Sequence, residues 1–209
     1  MKPLALLLAF SWGASPATVI TFDNGPLGKA PPGWTVAMTH HGGPPRWEIR
    51  KDQTAPTQPY VLAQVSNDKT NDREPLAILD GINLRDGDVS VRIKPVAGQA
   101  DRGGGLVWRY RDENNYYEVR ADALEKSVAV YKVENGRPVR LGNSARHDIP
   151  SNNWSILKVS ARGNRFQIYL DHRRILQGWD ATFTSSGKVG VCTEADSITY
   201  FDDFRVDPR

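Results

Sequence analysis

Four side chains near the middle of the sequence carry the chemistry best suited to recognition: Arg109, Tyr116, Glu118 and Arg120. Period-two alternation places them on the polar side of two neighbouring strands, with Arg92 and Lys132 as further neighbours. Guanidinium and carboxylate forks hydrogen-bond hydroxyl groups, and an aromatic ring stacks on the apolar face of a sugar. The same pattern also describes a solvated sheet face with cross-strand ion pairs worth a few tenths of a kcal/mol each. Trp179, in Gln177-Gly178-Trp179-Asp180, is expected in a loop, where an exposed indole calls for a ligand to stack on it. Trp47 follows a Gly/Pro stretch and is expected at a rim, whereas Trp108 and Trp154 lie on apolar strand faces and are expected in the core.

Other reactive groups fare less well. Cys192 sits in Lys188-Val189-Gly190-Val191-Cys192-Thr193, which reads as a strand, so a buried inert thiol is expected. As the single cysteine, it excludes any intramolecular disulfide. His40 and His41 are consecutive, face opposite ways in extended chain and lack a third ligand, so they read as loop surface. The carboxylate neighbours Asp112-Glu113 and Asp202-Asp203 point to opposite faces of a strand. They cannot flank one glycosidic bond as a nucleophile and acid pair within roughly 5 Å.

The elements that must position these residues are strands. Val89, Val91 and Ile93 alternate with Ser90, Arg92 and Lys94; Tyr117, Val119 and Ala121 alternate with Tyr116, Glu118, Arg120 and Asp122. Further strands are expected over 19–22, 47–50, 60–65, 76–79, 106–111, 127–133, 154–161, 165–170 and 198–206. Glu134-Asn135-Gly136-Arg137 carries the pair that favours a type I′ hairpin turn. Gly25 to Gly33 and His41 to Pro45 are Pro- and Gly-rich and predict ordered loops. Many antiparallel strands with almost no helical pattern predict an all-β protein, a two-sheet jelly-roll sandwich rather than a small barrel.

At the start, Lys2 precedes an apolar run from Pro3 to Trp12 and the small residues Ser15-Pro16-Ala17. This is the layout of a secretory leader over residues 1–17, cut before Thr18, which predicts a secreted or periplasmic protein. Residues 18–209 then form a single domain, and no later apolar run reaches the roughly 20 residues a membrane helix needs. The formal net charge of +3 is small and interleaved, so no nucleic-acid footprint is present.

The run from Gly103 to Arg120, followed by Val130-Tyr131-Lys132-Val133-Glu134-Asn135-Gly136, resembles the concanavalin A-like lectin/glucanase superfamily. Supporting segments are Phe22-Asp23-Asn24, Pro32-Gly33-Trp34, Trp154 to Val159, Gly187 to Val191 and Tyr200 to Val206. The likeness is greatest to bacterial secreted domains similar to laminin G-like and to family 16-like or 3-keto-disaccharide hydrolase-type modules. It implies a glycan, oligo- or polysaccharide, bound on the concave face without covalent chemistry. Alternatives are hydrolysis of a 3-keto or similarly modified glycoside, or protein adhesion as in laminin G-like domains. The Glu-x-Asp-x-x-Glu strand of family 16 glycosidases is absent. Because the chain ends lie side by side in related sandwiches, the resemblance also implies a structural calcium ion between Asp23 and Asp203, with Asp202 as the alternative to Asp203.

Overall fold

A computed structural model of the protein describes residues 16–209, so all but the last two positions of the expected leader lie outside the described residues. The regular elements are strands: β1 (Thr18–Ile20), β2 (Trp34–Thr39), β3 (Trp47–Lys51), β4 (Tyr60–Gln64), β5 (Glu74–Leu84) and β6 (Gly87–Ala97). They continue with β7 (Gly103–Asp112), β8 (Asn115–Asp122), β9 (Ser127–Glu134), β10 (Arg137–Arg140) and β11 (Ala145–Arg146). The last are β12 (Ser155–Arg162), β13 (Arg165–Leu170), β14 (Arg173–Trp179), β15 (Gly187–Cys192) and β16 (Ile198–Pro208). Among the described residues no helix is long and apolar enough to cross a membrane.

The first sheet runs β14-β13-β12-β6-β16-β4-β3, with β1 paired to β16; the second runs β10-β9-β8-β7-β15-β5-β2, with β11 paired to β9. Neighbouring strands are antiparallel throughout. This is the expected two-sheet jelly-roll sandwich. Alternation supplies the core: Val89, Val91 and Ile93 of β6 stand beside Leu157 and Val159 of β12 on one inner face. Leu106 and Trp108 of β7, with Tyr117, Val119 and Ala121 of β8, fill the other. Fully burying one large apolar side chain contributes about 1.5–3 kcal/mol, so this central layer dominates stability.

Aromatic pairs tie the layers together. Trp34 meets Phe204 edge-on at 5.1 Å, and Trp108 stacks on Tyr117 at 5.4 Å. Trp47 is buried against Phe201 rather than at a rim. Trp154 precedes β12, is half-buried, and donates its indole N–H to Thr54, so it is not part of the core. Asn135 and Gly136 both take positive φ, as a type I′ turn between β9 and β10 requires.

The outer face of the second sheet is less wetted than alternation predicts. Leu76, Ile78, Val107, Tyr110, Tyr116, Val133 and Cys192 form a second apolar cluster there, with the Tyr110 and Tyr116 rings 5.9 Å apart.

Candidate functional site: a charged pocket on the second sheet

The structure separates Arg109 from the other three expected recognition residues. Between Val107 and Tyr110 of β7, two residues oppose the single Val189 of β15, and Arg109 takes a φ of 51°. This bulge breaks the alternation: Val107 and Tyr110 share the outer face, whereas Arg109 turns toward the rim between the sheets. There its guanidinium donates to the carbonyls of Phe183 (2.6 Å), Arg85 (3.1 Å) and Gly163, with Asp86 at 3.5 Å. Buried and fully engaged by backbone oxygens, Arg109 is a brace and not part of a recognition face.

Tyr116, Glu118 and Arg120 do share the outer face, but as a buried cluster. Tyr116 and Glu118 have no exposed surface, and only Arg120 keeps some, with 13% of its side chain accessible. Arg120 Nε lies 3.1 Å from Glu118, its Nη1 lies 3.8 Å from Glu74 and pairs with Glu194, and the guanidinium sits 4.0 Å above the Tyr131 ring. Glu74, Glu194 and Tyr131 carry this arrangement as much as the expected residues do.

Three carboxyls around one guanidinium cannot all be charged in a buried setting. Burial pushes both Glu74 and Glu118 upward, more than neighbouring Arg120 pulls them down. The Tyr116 hydroxyl donates to Glu74 at 2.6 Å and lies 2.7 Å from the Thr39 hydroxyl, which donates to the Glu113 carbonyl at 2.6 Å. The cluster is thus an Arg120–Glu194 ion pair over two carboxyls that burial holds toward the protonated form.

Where Arg120 meets solvent there is a pocket. Its ladder neighbours are Gly105 and Ala129, whose small size leaves part of its side chain open to solvent. The cavity is about 130 Å³ and is lined by Arg120, Glu194, Tyr131, Asp101, Asp122 and Ser127, among others. The Asp101 segment is clamped by Asp196, which accepts the backbone N–H groups of Gln99, Ala100 and Asp101 at 2.8, 3.0 and 3.1 Å. Gly98 opens that segment at φ 142°, and a Cβ there would lie 1.8 Å from the Asp101 carbonyl. Burial first, then Asp122 and Glu194, push Asp101 up to about 10. Its carboxyl is thereby held toward the protonated form.

The remaining expected residues lie elsewhere. Trp179 ends edge strand β14 on the opposite sheet, not in a loop, and is 72% exposed. Asp203 accepts from Thr57 Oγ1 at 2.6 Å and from Arg92 Nε at 2.9 Å, while Asp23 accepts from the Tyr60 N–H at 3.1 Å. Calcium at Asp203 would have to displace a guanidinium, so these side chains do not fit the ion the resemblance implied. Asp202 is buried and raised to about 7, by desolvation first and also by Asp203 and Asp23, while two backbone N–H groups pull it down. Among the described residues no group of three or more His, Cys, Asp or Glu side chains is arranged to hold a metal. Cys192 is buried and its thiol pushed well up, as an inert strand residue should be. His40 and His41 are exposed.

No protein-family model matches the chain. The chain is 34% identical to a levanase of Bacillus subtilis over 95 residues, which is 45% of this chain and 14% of that enzyme. It thus spans only a small part of that relative. Among solved structures, carbohydrate binding module CBM66 from B. subtilis superposes with a TM-score of 0.65 at 23% identity, over 83% of this chain and 94% of that one. The β-glucanase of B. licheniformis gives 0.63 at 11% identity, over 93% and 99%. Domain 4 of AbnA, an extracellular arabinanase from Geobacillus stearothermophilus in complex with arabinotriose, gives 0.59 at 13% identity, over 93% and 94%. These likenesses show that the chain shares the two-sheet jelly-roll fold of these proteins.

Proposed function

We propose that this jelly-roll sandwich is an exported, non-catalytic carbohydrate-binding module that holds the terminal unit of a polysaccharide in the Arg120 pocket. The observation that carries this reading is the pocket itself: a partly exposed arginine side chain, ion-paired to Glu194 and backed by the Tyr131 ring, in a cavity of about 130 Å³. Ligand sites for drug-sized molecules span roughly 300–1,000 Å³, so this one suits a single ring at a chain end. Arg120, Glu194 and Asp101 offer both donors and acceptors to vicinal hydroxyls. The likeness to a carbohydrate binding module and to a levanase makes levan the first polysaccharide to test, and the extracellular setting of the similar arabinanase supports export.

Titration calorimetry with levan, arabinan and mixed-linkage β-glucan tests it. Arg120→Met removes charge-assisted hydrogen bonds worth about 1.5–3 kcal/mol each, which predicts at least a tenfold weaker association. Glu194→Gln, at a more exposed position, gives the same direction should the arginine variant fold poorly. Absence of binding to all three polysaccharides, or affinity unchanged in both variants, refutes the proposal.

A hydrolytic reading draws support from Asp101, Asp122 and Glu194 lining one pocket. Binding is favoured over it by the likeness to a carbohydrate binding module and by the commitment of Glu194 to the ion pair with Arg120. Turnover of levan or of a 3-ketoglucoside panel would reverse that preference.

A further inference from the structure

We propose that the Trp179 corner of the first sheet is a second glycan site, independent of the Arg120 pocket, which takes an anionic, uronate-bearing polysaccharide chain. Phe166 and Ile168 of β13 point into the core, so Arg165 and Gln167 face outward. The ladder sets Arg165 opposite Trp179 and Gln167 opposite Gln177. A shallow cavity of about 510 Å³ opens over them, lined also by Asn164. A largely bare indole at the end of an edge strand, beside two cross-strand amides, offers a stacking platform with hydrogen-bonding groups at its margin.

Charge selects the ligand. No carboxylate lines the cavity among the described residues. Arg174, exposed on the same edge, stands opposite Tyr169 on the outward face. The acidic side chains beside this edge are engaged: Asp171 accepts the Ile156 N–H at 2.8 Å and Asp180 accepts from the Tyr117 hydroxyl and the Thr182 N–H, while Asp88 farther across the sheet is held by Lys158, Arg162 and Arg209. Arg165 and Arg174 therefore present guanidinium groups on the Trp179 face without an ion-pair partner among the described residues, and a carboxylate is what a guanidinium fork matches in shape and charge. A sugar ring on Trp179 places the carboxylates of its own chain along this row, while the amides meet hydroxyls.

The full chain is titrated calorimetrically with polygalacturonate, with its methyl-esterified and hence neutral counterpart, and with an oligothymidylate of similar charge. Polygalacturonate should bind at least tenfold more tightly than the ester, with an affinity that falls as salt rises. Trp179→Ala should weaken it at least tenfold while the melting temperature moves by less than about 2 °C, because the side chain is exposed. Arg165→Gln should flatten the salt dependence. Equal affinity for the acid and the ester overturns the charge assignment, and an unchanged affinity in Trp179→Ala overturns the stacking platform. Oligothymidylate binding as tight as polygalacturonate would show a general polyanion surface and overturn the glycan assignment. Levan binding is measured at Arg120 on the other sheet, so the two sites succeed or fail separately.

Discussion

Glu118→Gln tests whether the fully buried carboxyl beneath Arg120 is held neutral. Burial raises Glu118 from an ordinary 4.5 to about 8; Arg120 opposes the shift, and Glu74 and Glu194 add to it. A carboxyl whose folded-state pKa lies above its unfolded value binds its proton more tightly in the folded protein. Its stabilising contribution is complete below about pH 4.5 and is lost as pH rises through the window from 4.5 to about 8. At about 1.4 kcal/mol per pH unit, that window holds at most about 5 kcal/mol. Glutamine keeps the size of the side chain, whose oxygens make no hydrogen bond, but it does not ionise. Urea denaturation from pH 5 to 8 should show wild-type stability falling with pH and a flatter curve for the variant. At pH 8 the variant should be more stable by about 2–5 kcal/mol, which for a domain of this size raises Tm by at least about 4 °C. Glu74, raised in the same direction, accounts for the slope that remains. A variant destabilised equally at pH 5 and pH 8 would refute the reasoning, because it would mean that Glu118 is an ionised partner of Arg120.

Arg109→Ala should lower stability by about 3–5 kcal/mol, as expected when buried carbonyls lose a charged donor, while levan affinity of the folded fraction stays unchanged. Lost affinity at unchanged Tm would return Arg109 to a binding role. Native Cys192 should resist thiol reagents at pH 8 and react fully in denaturant, since the thiol is buried and its pKa raised. Tm should be the same in excess calcium and in chelator, because Asp203 is engaged by Arg92 and Thr57; a calcium-dependent rise would show that backbone carbonyls build the site there.

Alternation made the architecture legible. Val89, Val91 and Ile93 announce their inner face, and Asn135-Gly136 announces its hairpin, because both depend only on local spacing and φ preference. Depth was not legible in the same way. Period two says which face Tyr116 and Glu118 occupy but not that Tyr110, Ile78 and Cys192 crowd that face until water is excluded. Arg109 was misplaced because strict alternation in Val107-Trp108-Arg109-Tyr110 hides the bulge opposite Val189. Edge strand β14 was missed because its half-exposed pattern and irregular register at Ile168/Tyr169 leave no clean period. The pocket did leave one trace in the sequence. Gly105 and Ala129, both small, flank Arg120, yet only the pairing of β7 and β9 with β8 reveals it.

The pairing of β1 with β16 also governs how the molecule can be held. β16 begins beside Ala97, near the Asp101 segment, and ends beside Gly87, while Thr18 lies opposite Val206. At about 3.3 Å per residue, the length of β16 puts some 30 Å between those two poles. Thr18 and the last residues of β16 therefore lie together at the pole away from Asp101 and Glu194. A residue attached beside Thr18 or Pro208 thus stands a full strand length from the Arg120 pocket.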